Sequence, residues 1–506
     1  MKELAFHSSA PDRRSCYDPP LTTLDAFASA HALLAALRDG QISATALLEL
    51  HLARIARYNH ELNAIVIPNY EQACLLAAEA DAARRRGEPF GPLHGLPLTI
   101  KDSIEVAGLR TTAGIAARAE VVSVEHARLS QRLFDAGGIL LGKTNVPPYA
   151  GDWQADNPLF GRTNNPWDLS RTSGGRTGGG AVAVAAGLTP LVFGSDIAGS
   201  IRVPAAFCGI YGHRPSETAV PHAEHVPGSS LPNPALVMAV QGPLARDAAD
   251  LELALEVIAG PIVGEDVAWQ LSFPPARHPS LAGFRVALLP RVAWLPVDAE
   301  ITAALDDLAL RLSRLGAEVA EAQPEGFDLW KHQEVYASLL HAVVFSELPK
   351  DRRAQMVHRL RHSTDPFAPA QVYGLTARAS QFIGLHAQRE RYRAAFRDFF
   401  RTWDVLLAPV TITPAFPHID RESTFSSRTL PINGERVPYS RLQVYPGLAS
   451  LSGQPATAFP WGRTQSGLPI GLQAIGPYLE DRTPITFAAL LAQAFSGFVS
   501  PPGYDE

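Results

Sequence analysis

The sequence predicts an α/β protein built as a single large domain, a mixed twisted β-sheet covered by helices on both faces. Three observations predict it. Helix-periodic segments alternate with short apolar β-type runs from residue 21 to residue 506. No repeat, low-complexity tract or composition break marks a linker. The 506 residues are 46% hydrophobic and 19% charged, the balance of a globular chain long enough to bury a large core.

Charge and cysteine content narrow the function classes. The formal net charge is −6 with both signs interspersed, which offers no footing for a nucleic acid or an anionic membrane. Cys16, Cys74 and Cys208 are isolated and odd in number, against a disulfide framework or a paired-cysteine metal site, and they point to a reducing, cytoplasmic compartment. The first twenty residues lack a signal-peptide core, and no later run reaches the roughly 18 apolar residues of a membrane span. The sixteen histidines show no clustered ligand spacing, so no metal and no cofactor are expected.

Taken in order, residues 1–20 are polar and proline-bearing and read as an irregular arm. Helices follow over 24–39, over 44–63 with Ser43 as cap, and over 71–86 before Gly87. The run 96–102 is a strand with Lys101 at its end, on the residues alone a solvated strand-end lysine. A helix over 126–137 and a strand over 137–144 precede a glycine- and proline-rich loop, 145–167, whose Tyr149, Trp153, Phe160 and Trp167 are candidate pocket aromatics.

Residues 171–215 then read as loop, helix (181–187), strand (190–194), loop, and a helix beginning near 200–201. The first loop holds Gly174, Gly175, Arg176, Thr177, Gly178, Gly179 and Gly180; the second runs from Gly194 to Ser200. Glycine clusters let backbone N–H groups approach a ligand. Ser200 follows Gly199 at a strand-to-helix turn, which exposes a hydroxyl beside unpaired backbone donors, as a nucleophile with an oxyanion hole requires. Asp196 is expected to order this loop, Arg202 to form a buried ion pair beneath it, and Cys208 to be core. Thr172 and Ser173 are loop residues, and His213 is a weak partner for a cysteine nucleophile.

Further on, strand and helix patterns cover 240–260, 281–290 and 298–324. Residues 328–400 are almost wholly helical in pattern and read as a cover over the site. A buried strand follows Trp403, residues 449–477 read as strands separated by turns, and 481–495 is a closing helix.

The segments GPLHGLPLTIKD, GRTNNPWD, SGGRTGGGAVAVAAG, GSDIAGSIRVPAAFCGIYGHRP and GLPIGLQAIGP together resemble the amidase signature family in wording, order and spacing, from about residue 21 to the last helix. The resemblance implies the amidase signature fold over 21–506 and acyl transfer by a lysine, a bridging serine on a cis peptide bond and a serine nucleophile. By motif the lysine is Lys101 and the nucleophile Ser200. The oxyanion donors are the N–H groups of Ile197, Ala198, Gly199 and Ser200, each worth about 3–4 kcal/mol in the transition state. Tyr149, Trp153, Gly174 and Gly175 are the expected substrate contacts.

Two departures qualify the match. Arg176 stands where the family has its bridging serine, and a guanidinium, donor-only and always protonated, cannot pass a proton. Three accounts are open: an altered hydrolase in which Arg176 replaces serine, a relay through Thr177 or a water, and an inactive homologue that binds amides. Arg176 beside Lys101 also lowers the lysine's pKa. Ala198 stands where the family usually has glycine, harmless at negative φ and strained at positive φ. The reading is an amidase, a serine hydrolase of amides, carbamates or esters, acting on an uncharged, rather hydrophobic small molecule. An amidotransferase component is the second enzymatic reading, and the helical surfaces suit a homodimer.

Overall fold

The computed structural model describes residues 25–222, 237–346, 348–421, 423 and 425–505. The expected arm at 1–20 and most of the 215–240 loop lie outside them.

Eleven strands form one mixed sheet. In chain order they are β1 (Ile65–Pro68), β2 (Pro97–Lys101), β3 (Ile139–Thr144), β4 (Leu191–Asp196), β5 (Tyr211–Arg214), β6 (Val240–Ala245), β7 (Arg285–Leu288), β8 (Glu318–Glu321), β9 (Val405–Pro409), β10 (Ala456–Arg463) and β11 (Pro469–Ile475). Their spatial order is β1-β3-β2-β4-β6-β5-β10-β11-β9-β7-β8. The trio β3-β2-β4 and the trio β9-β7-β8 are parallel, and the strands between them pair antiparallel. Among the parallel strands, β3, β4 and β9 are buried along their whole length, with apolar runs at their starts, because both faces are covered. One edge, β1, shifts register between Ile65 and Ile67 and stops at Pro68. The other, β8, is four residues long with Glu318 and Glu321 exposed.

The N-terminal helices form where their caps direct. Ser43 accepts from the Ala46 N–H at 3.1 Å to start Ala44–Leu62, and Gly87, at φ 74°, ends Tyr70–Arg86. The first helix starts later than the pattern predicts, at Ala30, because Ser29 supplies its cap. Residues expected as strand at 449–452 instead finish a buried helix, Val444–Ser452, closed by Gly453 at φ 75°. Its glycine and proline disguise it, and burial of every one of its residues overrides propensity.

The helix after the glycine loop spans Gly178–Ala185, three residues earlier than predicted, and is wholly buried. Small side chains let its backbone lie against β3 and β4. A Cβ on Gly179 would stand 2.5 Å from the Asn145 nitrogen and 2.7 Å from the Ala64 oxygen, both backbone atoms that cannot swing aside. Gly179→Ala is therefore expected to cost about 1–3 kcal/mol or more, measured as a fall in the denaturant midpoint.

Residues 328–400 are helical as expected: Leu329–Val344, Lys350–Arg361, Ala368–Thr376 and Ala379–Phe399. Val357, Leu360, Ala368 and Leu375 make a small core apart from the main one. No helix among the described residues is long and apolar enough to cross a membrane.

Candidate active site

The site grows from two neighbouring parallel strands. In β2 and β4, Leu98 pairs with Leu191, Thr99 with Val192 and Ile100 with Phe193, so Lys101 comes level with the end of β4. Lys101 is not the solvated residue its strand-end position suggests: it is 1% exposed, and Nζ donates to Ser195 Oγ at 2.8 Å. Burial, and then the Arg176 guanidinium, push its pKa down to about 7, with Asp196 opposing. Beneath it the chain's next residue, Asp102, pairs with buried Lys143 at 3.1 Å. Lys143 also donates to the Arg110 carbonyl at 2.9 Å and to Thr111 Oγ1, and burial pulls it down to about 8.

Beyond β4 the chain turns over 197–201 into the helix Arg202–Cys208, and Asp196 latches that turn. Its carboxylate accepts from the Gly199 N–H at 2.9 Å and the Ile201 N–H at 3.3 Å. The same carboxylate accepts a two-pronged bond from Arg202, Nε to Oδ2 and Nη2 to Oδ1, each 3.0 Å. Arg214 donates to the Asp196 carbonyl at 2.9 Å. Burial works to raise the Asp196 pKa, but Arg202 and then Arg214 hold it well below the usual carboxylate range. Arg202 in turn reaches Gln473, Pro446 O and Ser450, tying the turn to β11 and to the Val444–Ser452 helix.

The loop's peptides are oriented from outside. Tyr336 donates its hydroxyl to the Ile197 carbonyl at 2.9 Å, and Trp153 Nε1 donates to the Ala198 carbonyl at 3.3 Å. A planar trans peptide directs the following N–H away from a carbonyl so fixed. Gly199 is at φ 89°, whereas Ala198 is not among the residues at positive φ, so alanine sits there without backbone strain. Of the four expected oxyanion donors, the Gly199 N–H is already taken by Asp196. Those of Ile197, Ala198 and Ser200 have no hydrogen-bond partner among the described residues.

Ser200 is 2% exposed, and its hydroxyl makes no hydrogen bond with Lys101 or with any other described residue. Arg176 is 8% exposed, its guanidinium carbon 5.7 Å from the centre of the Trp153 ring. Thr177 lies against Gly194 with its hydroxyl buried and unpartnered, and nothing links it to Lys101. No peptide bond among the described residues is cis.

The remaining predicted residues divide. Trp153 is buried against Phe425 and Tyr439, whereas Tyr149 is 72% exposed. Gly174 and Gly175, at φ 93° and 96°, back onto Pro204 and Trp153, where a Cβ would lie 2.7 and 2.6 Å from their Cα atoms. Trp167 donates to the Cys208 carbonyl at 3.0 Å, a packing role. Cys208 is fully buried and burial raises its thiol's pKa; His213 is held by Thr457 and Asp481. No group of histidine, cysteine, aspartate and glutamate that could hold a metal occurs among the described residues.

Sequence reasoning missed Ser195, Tyr336 and Lys143. A usable signal existed only for Ser195, two residues beyond the position that pairs with Ile100.

The chain belongs to the amidase family, whose model matches residues 46–484. It is 32% identical to a component of the glutamyl-tRNA(Gln) amidotransferase of a Synechococcus strain, covering 92% of this chain and 96% of the relative. It is 31% identical to an acylamidase of Rhodococcus erythropolis, covering 91% and 94%. Among solved structures, a bacterial aryl acylamidase of the amidase signature enzymes superposes with a TM-score of 0.77 at 26% identity, over 93% of this chain and 96% of that one. Homologues thus include amide hydrolases and an amidotransferase component.

Proposed function

We propose that this chain hydrolyses a carbon–nitrogen bond of a small amide through an acyl-enzyme on Ser200. The observation that carries the reading is Lys101, sealed from solvent, pushed down to about 7 and bonded to a hydroxyl on the strand that leads into the Ser200 turn. Such an amine is present as free base to a substantial fraction at neutral pH, where an ordinary lysine is almost wholly protonated.

In this reading Ser200 Oγ attacks the substrate carbonyl and its proton passes to Lys101. Ser195 is the only hydroxyl bonded to Lys101 among the described residues, which makes it the candidate for the bridging role that Arg176 cannot fill. The unpaired N–H groups of Ile197, Ala198 and Ser200 are the donors for the developing oxyanion. Lys101 returns the proton to the departing amine, and water then frees the acid. Carbamates and esters follow the same path, and the unpaired cysteines Cys74 and Cys208 support a cytoplasmic location. The 328–400 helices serve as cover, on the strength of the Tyr336 bond to Ile197.

One observation favours a second reading, an amide-binding homologue without turnover: the relay position is filled by a cation that makes no hydrogen bond among the described residues. A fluorophosphonate probe separates the two. Labelling that disappears in Ser200→Ala, with release of ammonia or amine from amides, is the expected result. No labelling and no turnover, in this chain and in Arg176→Ser alike, sinks the hydrolase.

A further inference from the structure

Arg176 is the anomaly of the site. A buried guanidinium ordinarily has carboxylate or carbonyl partners, because burying an uncompensated charge is costly. Arg246, buried to a similar degree, donates to five carbonyls. Arg202 has Asp196, Gln473, Pro446 O and Ser450. Arg176 has no hydrogen bond and no ion pair among the described residues, only the face of Trp153, and its Nε is buried and unpartnered.

The acidic groups near enough to influence it are Asp152 and Asp196, and both are committed elsewhere. Asp152 accepts from Arg428 at 2.5 Å, from the Tyr439 hydroxyl at 2.7 Å and from the Trp153 N–H at 2.7 Å. Asp196 is bound by Arg202 and by its own turn. The other groups that face Arg176 are the Tyr336 and Tyr439 hydroxyls, already donating to Ile197 O and Asp152, and Lys101, a like charge when protonated. Trp153, which Arg176 overlies, also donates to the Ala198 carbonyl of the nucleophile's turn. An unsatisfied planar cation is therefore held beside Lys101 and that turn.

We propose that Arg176 binds a carboxylate carried by the substrate, so that the chain acts on amides of anionic acids or anionic amines. The inference rests on the hydrolase reading for the reaction, and on the unpartnered guanidinium for the charge. It departs from the uncharged substrate that the loop composition suggests. A carboxylate offers the two coplanar oxygens that a guanidinium fork accepts, closes the unpaired Nε–H and neutralises the buried cation.

The test uses two matched pairs, each differing in one carboxylate: glutaramate against pentanamide for the acyl side, and N-acetylglycine against N-ethylacetamide for the amine side. Affinities are measured calorimetrically in Ser200→Ala, where turnover does not interfere, and hydrolysis in the unaltered chain. In at least one pair the anionic member is expected to bind about 10- to 100-fold tighter. Arg176→Gln should abolish that preference, and Arg176→Lys, which keeps the charge without the fork, should retain part of it and guards against a variant that fails to fold. Equal binding within both pairs, no saturable binding of either anion, or a preference that survives Arg176→Gln overturns the proposal. Hydrolysis without an anionic preference refutes this inference and leaves the hydrolase standing. Arg176-dependent binding without hydrolysis does the reverse.

Discussion

The kcat/KM for amide hydrolysis is expected to rise with pH through about 7 and level off above it, and Lys101→Met to lower the plateau by about 10²- to 10⁴-fold. The sign follows from the environment. Burial and the Arg176 charge both disfavour the ammonium form, so the free base needed to accept the Ser200 proton predominates above about 7 rather than above the ordinary lysine value. Arg176→Ser removes the second of these causes. The rising limb should then move to higher pH, while the height of the plateau reports whether the restored hydroxyl improves the relay. A pH profile of both chains with one amide reads the two effects separately. A limb that stays in place when Arg176 is removed contradicts the assignment of Lys101 as the base that Arg176 perturbs.

Asp196→Asn carries the largest expected loss of stability, about 3–5 kcal/mol, because it leaves buried Arg202 without its counter-charge. Denaturant unfolding checks it. The pH dependence has a definite direction: the folded carboxylate's pKa lies below its unfolded value, so its contribution is complete above the unfolded range of about 3.9 and is lost as pH falls toward the folded value. The unaltered chain should therefore lose stability below about pH 4 more steeply than Asp196→Asn. The variant also weakens the acceptor for the Gly199 and Ile201 N–H groups, so activity should drop even where the chain stays folded.

Local grammar was the legible part. Ser43 and Gly87 announce helix ends because capping is a short-range interaction between a side chain or a left-handed residue and the adjacent turn. Asp196 and Arg202 were legible as an ordering residue and a buried ion pair because they stand six positions apart on one turn. The bond from Lys101 to Ser195 spans 94 positions and that from Tyr336 to Ile197 spans 139. Both depend on strand order and helix docking, which no local pattern encodes. The Val444–Ser452 helix was misread for the same reason, since its stability comes from the neighbours that bury it. Arg176 was visible as a departure, but its lack of an acceptor among the described residues emerges only once the carboxylates around it are seen to be occupied.

The two edges of the sheet bear on how copies of this chain meet. A flat, open edge is a template for another chain's strand, and here both templates are spoiled. The proline and slipped register of β1 deny regular backbone donors on one side, and the charged four-residue β8 repels a copy of itself on the other. Sheet extension, and the fibrous aggregation it seeds, is disfavoured at high concentration. A pairing of copies through these edges is therefore disfavoured at both ends of the sheet.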